Sequence, residues 1–304
     1  MRWEDFRSSD NVEDRRGEGG GGGGGFGFPG GGAGGLGIGT IVILCIIGWV
    51  TGINPAILIG GAEQMTGGRA PQQQERVDPQ TQAKRGTKPS DESGRFAAAI
   101  LGNTEDVWKA VFPNQVGKEY RPTGMVLYTG GTRSGCGSAK AAMGPFYCPL
   151  DKKVYLDTSF FKEMETKFGV KGDFAYAYVI AHEVGHHVQD ELGILGKVQS
   201  RQQAAGQVEG NRLSVRVELM ADCLAGVWAK NSNDRFNSLE QGDIEEAMQA
   251  ASAIGDDKLQ KQSQGYAVPD SFTHGSSEQR MRWFMTGYKS GQTRSCDTFR
   301  AAAN

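Results

Sequence analysis

Apolar positions along this 304-residue chain recur in three different rhythms, and each predicts a different kind of element. The first is an unbroken apolar run over residues 36–59, LGIGTIVILCIIGWVTGINPAILI, with no charged side chain. Its first 18 residues make about 27 Å of helix, and with the rest there is length to cross a bilayer core of about 30 Å. The run therefore predicts one transmembrane helix, with a kink available at Pro55. The second rhythm is strand-like. It covers 125–129 and the two arms of GPFYCPLDKKVYLD (144–157), with a turn at 149–152 between them. The third is helical, through Phe96, Ile100, Val107 and Trp108 and then almost continuously beyond Phe160. Within 173–192, Phe174, Tyr178, Ala181, Gly185 and Val188 recur at helical spacing, no Pro intervenes, and Gly193 supplies a stop.

Polar stretches punctuate these elements. Residues 1–35 read as a polar, Gly-rich tail, because the excess in the chain's 46 glycines gathers before residue 40, where ordering the backbone costs most. Residues 60–94 are poor in large apolar side chains and rich in Gln, Pro, Gly and charge, the signature of a linker. Residues 95–304 then form one globular domain, large enough to bury a substantial core. A net charge of −2 with intermixed signs and no Lys/Arg block gives no basis for nucleic-acid binding.

Cys45 falls inside the apolar run, whereas Cys136, Cys148, Cys223 and Cys296 fall in the globular part. None forms a Cys-x-x-Cys pair, which argues against a thiolate metal site or a redox motif. Four cysteines allow three disulfide pairings; Cys136–Cys148 with Cys223–Cys296 is the favoured one, and disulfides suit an oxidising compartment. Arg15 and Arg16 precede the apolar run while Arg69, Arg76, Lys84, Arg85 and Lys88 follow it, a count that does not favour export of the C-terminal part. Long domains translocate largely regardless of charge, however. With the cysteines, this leads to an expected single-pass protein, N-terminus cytoplasmic and globular domain periplasmic or extracellular.

Three of the four histidines lie within 182–187, on the predicted 173–192 helix. In His182-Glu183-Val184-Gly185-His186 the two outer histidines share one helical face one turn apart, within reach of one ion about 2.0–2.1 Å from each nitrogen. Glu183 stands beside that ion, placed to take a proton from water, and Gly185 leaves room for another element to approach. A third ligand is required. Gln189 and Leu192 occupy the positions where one zinc class carries Gly and a third His, so that class is excluded. In 208–230, Glu218 and Asp222 share a face at i, i+4 of a largely apolar helix. Glu218 is then the third ligand, preferred over Glu191 and Glu209, and Asp222 the acceptor of a ligand histidine's free ring N–H. His187 points about 100° away and reads as a packing or surface residue. His274 precedes a helix running to about Tyr288; a hydrogen bond from it to an oxyanion, supported by Arg280, is the functional reading, and a plain histidine near a helix start the bland one.

This arrangement resembles the gluzincin pattern. The chain as a whole resembles the bacterial neutral zinc metallopeptidase family, through MRW, DNVEDRR, the glycine tract, the apolar run, GPFYCPLDKKVYLD, AHEVGHHVQ, ELMADCLAGVWA and FTHGSSEQR. The resemblance implies Zn2+ held by His182, His186 and Glu218, with Glu183 as general base and Asp222 and His274 as supporting positions. The expected fold is α+β: a zincin-like metallopeptidase domain with a small N-terminal β region on a helical zinc-site bundle. The expected activity is hydrolysis of peptide or protein substrates by a zinc-activated water. The alternatives are a non-cleaving zinc-containing binding or chaperone-like membrane protein, and a metal site closed by a fourth protein ligand.

Overall fold

The computed structural model describes residues 1–17 and 89–300. In chain order the strands are β1 (Val12–Asp14), β2 (Gly124–Tyr128), β3 (Gly131–Ser134), β4 (Gly137–Lys140), β5 (Phe146–Cys148) and β6 (Lys153–Asp157). The helices are α1 (Glu92–Val116), α2 (Ser159–Phe168), α3 (Asp173–Glu191), α4 (Ile194–Ala204), α5 (Gln207–Phe236), α6 (Asp243–Ala253), α7 (Asp256–Gln264) and α8 (Ser277–Ser290). The architecture is α+β, with a four-stranded sheet of order β1-β2-β6-β5 and a separate β3–β4 hairpin. β1, β2 and β6 run parallel, and β5 pairs antiparallel with β6 at the edge.

Strand alternation splits the sheet's side chains between two environments. Met125, Leu127, Val154 and Leu156 enter the main core, while Val126, Tyr128 and Tyr155 form a second cluster with Ala139 of the hairpin and Cys148. The hairpin thus covers the outer face, and the Cys136–Cys148 disulfide ties it to β5. A second disulfide joins Cys223 of α5 to Cys296.

The helices stack through α3 and α5, which are buried over most of their length because they are apolar around most of their circumference. Glycines set the closest approaches. A Cβ on Gly287 of α8 would lie 1.8 Å from the Cys223 carbonyl oxygen, and one on Gly226 of α5 would lie 2.1 Å from that of Phe284.

Two expectations need correction. The first concerns residues 1–17, expected to belong to a polar tail. Val12 to Asp14 pair in register with Met125 to Leu127, and the Ser9 hydroxyl donates to Glu105 at 2.6 Å. Arg16 clamps Asp91, the N-cap of α1, at 2.9 Å, and the Met1 amino group donates to Asp173 at 2.8 Å. The globular fold therefore takes in the first 17 residues, and α1 begins at Glu92, ahead of Arg95.

The second correction concerns the membrane. The expected span at 36–59 lies outside the described residues, and among those described no helix is long and apolar enough to cross a membrane. β1 and β2 belong to one sheet, so residues 1–17 and 89–300 lie on the same side of any bilayer. A single crossing between them would separate the two strands. The expected single-pass topology, with a cytoplasmic N-terminus and an exported domain, does not fit this pairing.

The glycine contact between α5 and α8 yields a stability prediction. Gly287→Ala is expected to cost about 3 kcal/mol in urea unfolding, since backbone must move to admit the methyl. Gly196→Ala, in α4 with nothing within 4 Å of the added Cβ, is expected to gain about 0.5 kcal/mol. Equal effects at the two positions would refute the close contact.

Candidate metal centre

The centre lies where α3 crosses α5. A Cβ on Gly185 would meet the Ala221 carbonyl oxygen at 3.0 Å, so the α3 backbone lies against the turn of α5 between Glu218 and Asp222. This close approach brings the two expected residue sets together. His182 Nε2 lies 3.1 Å from Glu218 Oε2, and His186 Nε2 lies 3.5 Å from Glu218 Oε1. One ligand atom from each of the three residues falls within 4.8 Å of the others. A tetrahedral ion with bonds of about 2.0–2.2 Å holds its ligand atoms about 3.4 Å apart, so the donor set fits a zinc ion.

The outer ring nitrogens are also engaged. His182 Nδ1 lies 2.8 Å from Asp222 Oδ1, and His186 Nδ1 lies 3.0 Å from Gln189 Oε1. With Nδ1 donating its proton in each ring, both Nε2 lone pairs face the centre. Glu191, one of the rivals to Glu218, instead pairs with Lys152 at 3.0 Å.

Asp222 is fully buried and satisfied from two other helices, α3 and α8. Besides His182, it accepts from the Tyr178 hydroxyl at 2.5 Å, and Arg280 grips both its oxygens at 2.9 Å. Burial pushes the Asp222 carboxyl up, but Arg280 and His182 outweigh it and bring its pKa to about 2. Arg280 was expected to support an oxyanion site. It instead holds Asp222, with a further contact to the Tyr178 hydroxyl at 3.3 Å.

The charges around the rings favour a cation. Burial opposes protonation of His182, yet Asp222 and Glu218 raise its pKa to about 10. Glu218 is driven up by burial but held well below the ordinary carboxylate range by His186 and His182. Glu183 differs: burial dominates and raises it. Two carboxylates on neighbouring helices thus have opposite tendencies, one to stay ionised beside the rings and one to take up a proton.

His274 lines the same cavity as the triad. Its Nδ1 lies 3.1 Å from Asp256 Oδ1, and Asp256 Oδ2 accepts the backbone N–H groups of Thr273, His274 and Gly275 at 2.7, 2.6 and 3.0 Å. Burial lowers the His274 pKa, but Asp256 outweighs it and the net shift is upward. His187 points away from the triad and is buried. It donates from Nε2 to the Arg121 carbonyl at 2.6 Å, while Nδ1 lies 3.1 Å from the Tyr147 hydroxyl.

Tyr178, Asp256 and Tyr147 carried no usable signal in the sequence. Tyr178 sits in the apolar stripe of its helix, and an aspartate opening a helix reads as a cap. Tyr147 lies in a strand distant in sequence from the α3 histidine it touches.

A cavity of about 360 Å³ opens over the triad, bounded by β5, the β3–β4 hairpin, α2, α3, α4, α7 and the 273–274 loop.

No solved structure matches the chain. Residues 1–299 match the family described as "Putative neutral zinc metallopeptidase". The chain is 51% identical over 300 residues to the uncharacterized protein YpfJ of Escherichia coli K12, covering 98% of this chain and 99% of that protein. It is 45% identical over 213 residues to the uncharacterized protein Rv2575 of Mycobacterium tuberculosis H37Rv, covering 66% of this chain and 69% of the relative. The family implies Zn2+ as cofactor, and the convergent His182, His186 and Glu218 are chemically suited to it. The full-length family match and the high identity over nearly the whole E. coli protein place this chain in the neutral zinc metallopeptidase family.

Proposed function

We propose that the protein is a zinc endopeptidase. The observation that carries this reading is the convergence of His182, His186 and Glu218 in one cleft with Glu183. His182, His186 and Glu218 would hold the ion. A zinc ion there supplies Lewis acidity, which polarises a carbonyl oxygen and lowers the pKa of a water. Glu183 takes the proton from the attacking water and delivers it to the leaving amine. A pKa raised by burial suits both halves of that exchange.

His274 donates a hydrogen bond to the oxygen that gains charge in the tetrahedral state. Asp256 fixes its ring and favours its cationic form. Asp222 and Gln189 hold the two ligand rings with Nε2 inward. β5 ends the sheet beside α3, so an extended peptide can add to it as a further strand. Among the described residues lining the cavity, Arg280 is the only Arg or Lys, and Asp222 already binds it. No spare Arg or Lys is left among those described residues to capture a C-terminal carboxylate. Cleavage within a chain is the better match.

Glu183→Gln is expected to lower peptide hydrolysis by about a hundredfold to ten-thousandfold while zinc stays stoichiometric by metal analysis. A biological function that survives this change would instead support the non-cleaving alternative. Glu218→Ala is expected to weaken zinc binding at least about tenfold in competition with a chromogenic chelator; unchanged affinity would remove Glu218 from the ligand set. Full-length protein incubated with a peptide library should cleave with zinc and stop on chelation. Cleavage indifferent to chelation would defeat the proposal.

A further inference from the structure

An open catalytic metal site needs room for a carbonyl and a water. This cavity offers more, and its extra wall has a distinct chemistry. Its charged and imidazole side chains are concentrated at one place: the three ligands, Glu183, His274 and the Asp222-bound Arg280. Away from them the lining comes largely from apolar side chains on separate elements. They include Met143 after the hairpin, Phe160 of α2, Val179 of α3, Leu195 of α4, Ile254 beyond α6 and Leu259 of α7.

Val179 lies one turn before His182 on the same helix, and Ile254 offers its backbone oxygen to Arg280 at 3.3 Å. The apolar wall is therefore continuous with the reactive centre. Met143, Phe160, Ile254 and Leu259 are only half-buried. Apolar surface left uncovered in a concave site gains stability when an apolar ligand group displaces water from it.

We infer that the cavity is a specificity pocket for a large uncharged apolar side chain flanking the scissile bond, so that the substrates are apolar segments of polypeptide. This rests on the peptidase reading above. Charge points the same way. A substrate Asp or Glu would face Glu183 and Glu218. A substrate Lys or Arg would lose water against walls whose described residues offer it no carboxylate beyond the reactive centre.

The test uses zinc-loaded full-length protein and N-acetyl amino-acid hydroxamates of Gly, Ala, Leu, Phe, Asp and Lys, with affinity measured by titration calorimetry. Leu and Phe compounds are expected to bind about tenfold to a hundredfold more tightly than Gly, and Asp and Lys compounds no more tightly than Gly. Leu259→Glu and, independently, Phe160→Ser are expected to shrink the Phe-over-Gly ratio; both side chains are half-buried, and neither belongs to the metal centre. Equal affinity across the series, a preference for Asp or Lys, or a ratio unchanged in both variants overturns the pocket while leaving the peptidase reading intact. Failure of every hydroxamate to bind protein with stoichiometric zinc overturns the open metal site and the pocket with it. The wild-type series decides the matter even where a variant does not fold.

Discussion

The fully buried carboxylate of Asp222 is the constraint on which the rest of the structure turns. Taking an ionised carboxylate out of water costs several kcal/mol unless partners surround it. Here the partners come from two other helices, Tyr178 and His182 from α3 and Arg280 from α8, so that with Asp222 on α5 the cluster spans three. None of these groups is satisfied without the others. The charge cluster therefore fixes the relative placement of the three helices, and that placement presents His182 Nε2 to Glu218. Fold and metal centre are in this sense one object. The backbones meet closely enough only because Gly185, Gly226 and Gly287 lack side chains at the crossings.

The same cluster explains the electrostatics of the centre. Arg280 balances Asp222, which leaves Glu218 as the carboxylate facing the two rings. The rise in the His182 pKa to about 10 is a measure of how strongly that spot favours positive charge. Protons and a divalent cation compete for the same nitrogens, so ion binding expels the protons that the carboxylates would otherwise hold there. Glu183 stands on the same helix, and there burial outweighs the neighbouring rings and raises its pKa.

Much of this centre was legible in the sequence because the information is local. His182, Glu183 and His186 lie within one helical turn, and Glu218 and Asp222 within another. Helical spacing alone sets which of them share a face. The strands β2, β5 and β6 were legible for the same reason. What was not legible depends on contacts between distant residues. β1 is three residues long, partly polar, and pairs with a strand more than a hundred positions away. Nothing in Val12-Glu13-Asp14 distinguishes it from a solvated tail. Tyr178 read as core because its ring is core; only its hydroxyl belongs to the centre. Asp256 opens a helix eighteen positions before the histidine it holds, with no local pattern linking the two.

The error about the membrane has the same origin. A long uncharged run is a strong local signal, but topology depends on where the flanking residues end up. Arg16 and Asp91, on either side of the stretch 18–88, are held together by paired hydrogen bonds, and Arg7 reaches Glu105 and Asp106 on α1. These bonds are intramolecular and add to the β1–β2 ladder. Separating the first 17 residues from the domain would leave the β2 edge and the buried Glu105 carboxylate without their partners. The hydropathy of a segment sets what surroundings suit it. The pairing of its flanks decides which topologies the chain can adopt, and here that pairing overrides the reading from hydropathy.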